Sequence, residues 1–182
     1  LIKGYAETVR DLTGDDKAHR DEQMNIIVDE ADRLTALVPF AEVVMNRKDC
    51  VFEPALSMSW AKGFDVEHYL GVTDHIVRMM AKLLGVDPHK AARHFILGLK
   101  DMGGVCPPRF ISELVTALRK KWPELVLHYH RHYTDGLFVP ACGAAAKAGC
   151  QILDVALGSS VRSYGQGDTL ATAAYMEGEL GL

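Results

Sequence analysis

The first forty residues and the remainder of the chain follow different hydrophobic periods. From Ile2 to Leu12 the apolar positions are Ile2, Tyr5, Val9 and Leu12, a three-four-three spacing that lines them along one stripe of a helix. Thr13-Gly14-Asp15-Asp16 interrupts the stripe. A second one runs through Met24, Ile27, Ala31, Leu34 and Val38 before Pro39 closes it. The pattern predicts an α-helical hairpin over residues 1–39. Its stripes are as narrow as a coiled-coil seam, and two short helices bury little by themselves. Such hairpins complete a four-helix bundle by pairing, so a homodimer is expected.

Beyond Pro39 the period changes. Residues 50–59 (CVFEPALSMS), 94–100 (HFILGLK), 125–131 (LVLHYHR) and 151–158 (QILDVALG) read as short buried strands. Helical patterns lie near 65–84, 108–121, 137–149 and 168–180. Strand and helix in alternation predict right-handed βαβ units and a parallel sheet. Four such units fill residues 40–182, whereas a closed (β/α)8 barrel takes about 250 residues. The expected fold is therefore α/β, a partial TIM barrel of about four βα units preceded by the helical hairpin.

Composition narrows the range of functions. With 48% hydrophobic and 24% charged residues, the chain can build a packed core. A net charge of -4 and no basic run longer than Arg119-Lys120-Lys121 argue against nucleic acid as a partner. No stretch reaches the ~18 apolar residues that a membrane span needs. Cys50, Cys106, Cys142 and Cys150 are far apart and form no C-x-x-C pair, which points to a reducing, cytoplasmic setting. Cys142 and Cys150 read as small core residues, and Met79-Met80 and Leu83-Leu84 as the buried face of a helix.

In parallel α/β folds the functional groups collect where strands run into helices. The unusual polar residues of this chain fall there. The second strand ends in Lys100-Asp101-Met102-Gly103-Gly104, the third in His128-Tyr129-His130-Arg131-His132 followed by Thr134-Asp135-Gly136, and the fourth leads to Tyr164-Gly165-Gln166-Gly167. Alternate strand residues share a face, so His128, His130 and His132 form one column if the strand extends that far. Paired imidazoles on a rigid strand suit a first-row divalent metal. Asp101 and Asp135 read either as carboxylates orienting metal ligands or as turn formers. Gly103-Gly104 and Gly165-x-Gly167 read either as positions that bring backbone close to a substrate or, more simply, as turn geometry.

Two resemblances follow from these residues. LIKGYAET and IIVDEADRLTALV resemble the dimerisation helices of sensor histidine kinases, though the phosphoacceptor motif that should precede them is absent and His19 reads as a loop residue. The string HFILGLKDMGG, then LHYHRHYTDG, then ILDVALGSS resembles the carboxyltransferase domain of pyruvate carboxylases, oxaloacetate decarboxylases and transcarboxylases. Ser57-Met58-Ser59-Trp60 and Glu67-His68-Tyr69 fit that family's SYT and LEYY positions.

The second resemblance implies carboxyl transfer between carboxybiotin, held on a partner carrier domain, and a small keto acid such as pyruvate or oxaloacetate. It implies a divalent metal, zinc with manganese or cobalt as alternatives. The ligands carried over are His130, His132 and a carboxylated Lys100; the family's first-strand aspartate has no counterpart. Lys100, Tyr164 and Gln166 take the catalytic positions. Tyr164 stands where the family has a threonine that passes a proton between biotin and the pyruvate methyl group. A tyrosine relays protons too, but its ring needs more room. With four of eight barrel units, the chain is expected to be inactive alone. Rival readings are a dimeric signalling module carrying a non-catalytic barrel fragment, and a Claisen-type acyltransferase of the same barrel superfamily.

Overall fold

The computed structural model describes residues 38–47, 49–158 and 165–181. The hairpin stripes from Ile2 to Leu34 lie outside the described residues. The chain divides into two units between Asn46 and Arg47. In the first, residues 38–45 are helical, so Pro39 sits inside a helix and does not close one.

The second unit carries a four-stranded, all-parallel sheet in the order β1-β2-β3-β4. Its elements are β1 (Ala55–Ser57), α1 (Val66–Leu84), α2 (Pro88–Ala91), β2 (Ile96–Asp101), α3 (Pro108–Lys121), β3 (Val126–Arg131), α4 (Phe138–Ala148), β4 (Ile152–Leu153) and α5 (Thr169–Tyr175), which runs on into a π-helical turn. Strand order equal to chain order, with a helix in each crossover, is the βα succession of a partial barrel. No described helix is long and apolar enough to cross a membrane.

Local chemistry sets the helix limits. Asp65 accepts a hydrogen bond from the His68 N–H at the start of α1, and Gly85 ends that helix in the left-handed conformation. Asp168 caps α5 through the Ala171 N–H. Helix α2 has no periodic signature, being four residues long; its start is marked only by the capping Asp87 and by Pro88 in the first turn.

Two strands are shorter than their hydrophobic runs. Pro54 has no N–H to give, which suits the edge strand it precedes. There the ladder is reduced to three residues, extended by an isolated bridge between Phe52 and Phe95. After Leu153 the backbone leaves β3, and Ala156 pairs instead with Asp168.

Alternation along the strands separates two faces. On one, Leu97, Leu99, Leu127 and Tyr129 are completely buried. They belong to the same core as Ile76, Met80, Ile111, Leu114, Leu118, Phe138 and Ala141 of the helices. Each such leucine is worth roughly 2 kcal/mol relative to exposure. The other face carries Glu53, Ser57, Lys100, His128 and His130, all partly or fully exposed. This second face corresponds to the interior of a closed barrel.

Arg131 ends β3 on the helix-covered face with no exposure at all. Its Nη1 donates to the Cys106 carbonyl at 2.8 Å, and its Nη2 donates to the Gly104 carbonyl at 2.7 Å and to the Asp135 carboxylate. The buried Asp101 carboxylate lies 3.6 Å from Nη1 and accepts from the Val105 and Cys106 N–H groups. One guanidinium thus joins the loops that follow β2 and β3. Arg131→Met leaves a buried carboxylate and two carbonyls without their cation. It should cost about 3–5 kcal/mol in urea unfolding, and an unchanged midpoint would show that the guanidinium does not pin the loops.

Candidate functional site

The polar face is organised by strand register. Ser57 pairs with Lys100 and Lys100 with His130, so these three side chains leave the sheet in one row. The row behind it contains Ala55, Gly98, His128 and Ile152. Gly98 matters through its missing side chain: a Cβ there would stand 3.1 Å from Glu53 Oε1. Glu53 uses that gap to reach His128, whose Nδ1 it meets at 2.7 Å.

Asp154, just after β4, faces both strand histidines. Its Oδ2 accepts from His130 Nδ1 at 2.6 Å. Its Oδ1 lies 2.9 Å from His128 Nε2, within ion-pairing distance but without the alignment of a hydrogen bond. His128 is therefore held between two carboxylates. Burial works against its imidazolium, yet the contacts to Asp154 and Glu53 prevail and raise its pKa above the ordinary 6.5. Burial likewise opposes the Asp154 carboxylate, and its bonds to His130 and His128 hold its pKa below the usual value.

Beyond Asp154, His130 turns its Nε2 toward the Gln166 amide nitrogen at 3.4 Å. The His132 ring is 5.2 Å away, centroid to centroid, tilted by 58°. Strand β3 ends at Arg131, so His132 departs from the expected column. Its backbone N–H still reaches the Asp101 carbonyl at 3.2 Å, which keeps the ring beside His130. The Lys100 ammonium has no hydrogen-bond or ion-pair partner among the described residues. Tyr164 lies outside them.

The sequence-predicted residues Lys100, His130, His132 and Gln166 are thus gathered at one end of the sheet. Asp101 and Asp135 are not part of the cluster. They bind Arg131 and loop N–H groups on the opposite face, so their role is structural. Gly104 has φ +58°, and a Cβ on it would collide with the His132 carbonyl and the Thr134 hydroxyl. It allows the β2 and β3 loops to touch. The Ser59 N–H donates to the Tyr69 hydroxyl at 2.7 Å, bringing together the two outlying motifs. Burial pushes the thiols of Cys106 and Cys142 up to about 12 and that of Cys150 to about 11, which removes them as nucleophiles.

Glu53 and Asp154 are the residues that the sequence reading missed. Each is a lone acid inside an apolar strand run, and that was the available signal. Among the described residues, no group of three His, Cys, Asp or Glu is arranged to hold a metal ion.

The pairing of His128 has a definite pH signature. With a raised folded-state pKa, its contribution to stability is complete below the unfolded value of 6.5 and lost as pH rises through the folded value. With a depressed pKa, that of Asp154 is present above the unfolded value of 3.8 and lost as pH falls through the folded one. In urea unfolding, the stability gap between the parent and His128→Ala should be widest at about pH 4–6.5 and narrow above it. A gap that grows with rising pH would contradict the pairing.

No family model matches the chain. Over 115 residues, 63% of its length, it is 35% identical to pyruvate carboxylase 1 of Caenorhabditis elegans. It is 36% identical over 98 residues to pyruvate carboxylase of Schizosaccharomyces pombe and 38% identical over 96 residues to mitochondrial pyruvate carboxylase of Mus musculus. The chain spans only 7% to 9% of these relatives' lengths. Among solved structures, a variant of the carboxyl transferase domain of Rhizobium etli pyruvate carboxylase with pyruvate superposes with a TM-score of 0.59 at 21% identity, covering 76% of this chain and 22% of that one. The same domain with pyruvate and biocytin gives 0.58 at 22% identity, with the same coverage. The chain is homologous to a segment of pyruvate carboxylase, and its described sheet and helices have the fold of part of that enzyme's carboxyltransferase barrel.

Proposed function

We propose that this chain is a segment of a biotin-dependent carboxyltransferase that moves a carboxyl group between carboxybiotin and a small keto acid of the pyruvate type. The homology to pyruvate carboxylase supports the reaction class. The observation that carries the reading is the register of Lys100 against His130, with His132 beside His130. It gathers at one strand end the three residues that the carboxyltransferase resemblance assigns to a metal.

These donors fit a divalent cation in part. The carboxylate on His130 Nδ1 is the partner that metal-bound histidines ordinarily have. The fit needs Lys100 to change character, because an ammonium repels a cation whereas its carbamate offers an anionic oxygen. His130, His132 and carbamylated Lys100 would be the ligands, with zinc suited to such a nitrogen-rich set. A cation held there supplies a Lewis acid for the acceptor's carbonyl oxygen.

The chain's own residues have separate tasks in this reading. In carboxylation, the N–CO2 bond of carboxybiotin breaks, a C–C bond forms at the keto acid's methyl carbon, and the proton lost there returns to the biotin nitrogen. Tyr164 is the residue assigned to that proton. Gln166, beside His130 at the open edge of the cluster, offers an amide donor to an anionic substrate. Biotin arrives on a carrier domain of a partner, and a homodimer through the N-terminal hairpin belongs to the same proposal.

The four described strands are half of the eight that close a barrel. Among the described residues their polar face has no opposite wall, and catalytic groups need positioning to about 0.5 Å. In an oxaloacetate decarboxylation assay with free biotin and metal, the chain alone should be inactive. A chain completed with the missing strands of a related barrel should turn over, and Lys100→Ala should remove that activity. A completed barrel indifferent to Lys100→Ala would refute the proposal.

A further inference from the structure

The face that bears Lys100 and His130 also carries a chain of acids and imidazoles, Glu53, His128, Asp154 and His130, of which Glu53 and His128 have no assigned role. Its members come from three separate segments. Glu53 precedes β1, the two histidines belong to β3, and Asp154 follows β4. Each link is short, at 2.7 Å from Glu53 Oε1 to His128 Nδ1, 2.9 Å from His128 Nε2 to Asp154 Oδ1, and 2.6 Å from Asp154 Oδ2 to His130 Nδ1. Gly98 leaves the space through which Glu53 enters.

We propose that Asp154, braced by His128 and Glu53, is a positioning residue that fixes His130 as its Nδ1–H tautomer and presents the Nε2 lone pair on the polar face of the sheet. Two contacts on opposite sides of the ring agree on this. A carboxylate only accepts, so the nitrogen 2.6 Å from Asp154 carries the proton. The Gln166 amide nitrogen only donates, so the ring nitrogen it faces at 3.4 Å offers a lone pair.

The brace explains why one carboxylate suffices. Asp154 is 39% exposed in its side chain, and a lone carboxylate at such a site is free to rotate away. Its second oxygen lies 2.9 Å from His128 Nε2, within ion-pairing distance, and His128 is itself tied to Glu53 on the other side of β2. The carboxylate thus keeps one orientation, and the His130 ring with it. Only the purpose of the outward nitrogen, as a metal donor, rests on the proposed function; the tautomer does not.

The test uses the full chain, stripped of metal and labelled with 15N-histidine. Long-range 1H–15N correlations, assigned with His130→Ala and recorded where the ring is neutral, should show His130 as the Nδ1–H form. In Asp154→Ala the ring should revert to the Nε2–H form that imidazole prefers in water, and zinc affinity by chelator competition should fall about 10- to 100-fold. Glu53→Gln, which does not touch His130, should lower zinc affinity by a smaller factor. An Nε2–H ring in the parent overturns the inference, and that spectrum decides even if Asp154→Ala fails to fold. A folded Asp154→Ala whose tautomer is unchanged also overturns it. A parent that shows the Nδ1–H form yet binds no zinc supports the positioning and counts against the metal reading.

Discussion

The loops around the candidate site are held from the far side of the sheet by a guanidinium that has no access to water. Arg131 satisfies the carbonyls of Gly104 and Cys106 and the carboxylate of Asp135, so the turns after β2 and β3 cannot move independently. Burying that charge is costly unless it is well paired; both terminal nitrogens are bonded, and Nε alone has no hydrogen-bond partner among the described residues. Here the guanidinium lies beside the equally buried Asp101 and at the end of a strand whose alternate residues include His128 and the candidate metal ligand His130. The next residue, His132, keeps its place by donating its N–H to Asp101. Anchoring residues and candidate-site residues therefore alternate along β3. The face toward the helices anchors, and the opposite face presents the imidazoles.

Most of the architecture was legible because the chain's hydrophobic runs are clean. Helices α1, α3 and α4 lie within a residue of their predicted limits, since Asp65, Gly85, Pro108 and Gly149 mark their ends chemically. What escaped was too short or too context-dependent. Helix α2 has no room for a period. Strand β4 ends after two residues, although the apolar run continues to Leu157, because the backbone turns to pair with Asp168. The extent of a ladder depends on its neighbours and not on the run itself.

At the site, the period of two correctly placed His128 and His130 on one side. The same rule puts Arg131 with Leu127 and Tyr129, which is where it lies, so its buried role was implicit in the alternation. Asp154 and Glu53 were harder to see. An acid inside a strand can face either way across a sheet, and its partner on another strand is fixed only by register. Gly98 is the least legible element of all, because its contribution is the absence of a side chain where Glu53 passes. Such a gap has no signature along the sequence; it exists only between strands.

Lys100, His130 and His132 are proposed to form a divalent metal site on the open face of the sheet. The most direct measurement is anomalous scattering at the zinc edge from crystals of the chain completed into a closed barrel, grown with zinc and bicarbonate. A metal held there gives a single strong peak bonded to His130 Nε2 and to His132, with the density of a carbamate extending from Lys100 to the metal. A peak coordinated elsewhere, or a bare Lys100 with zinc bound to neither histidine, would contradict it.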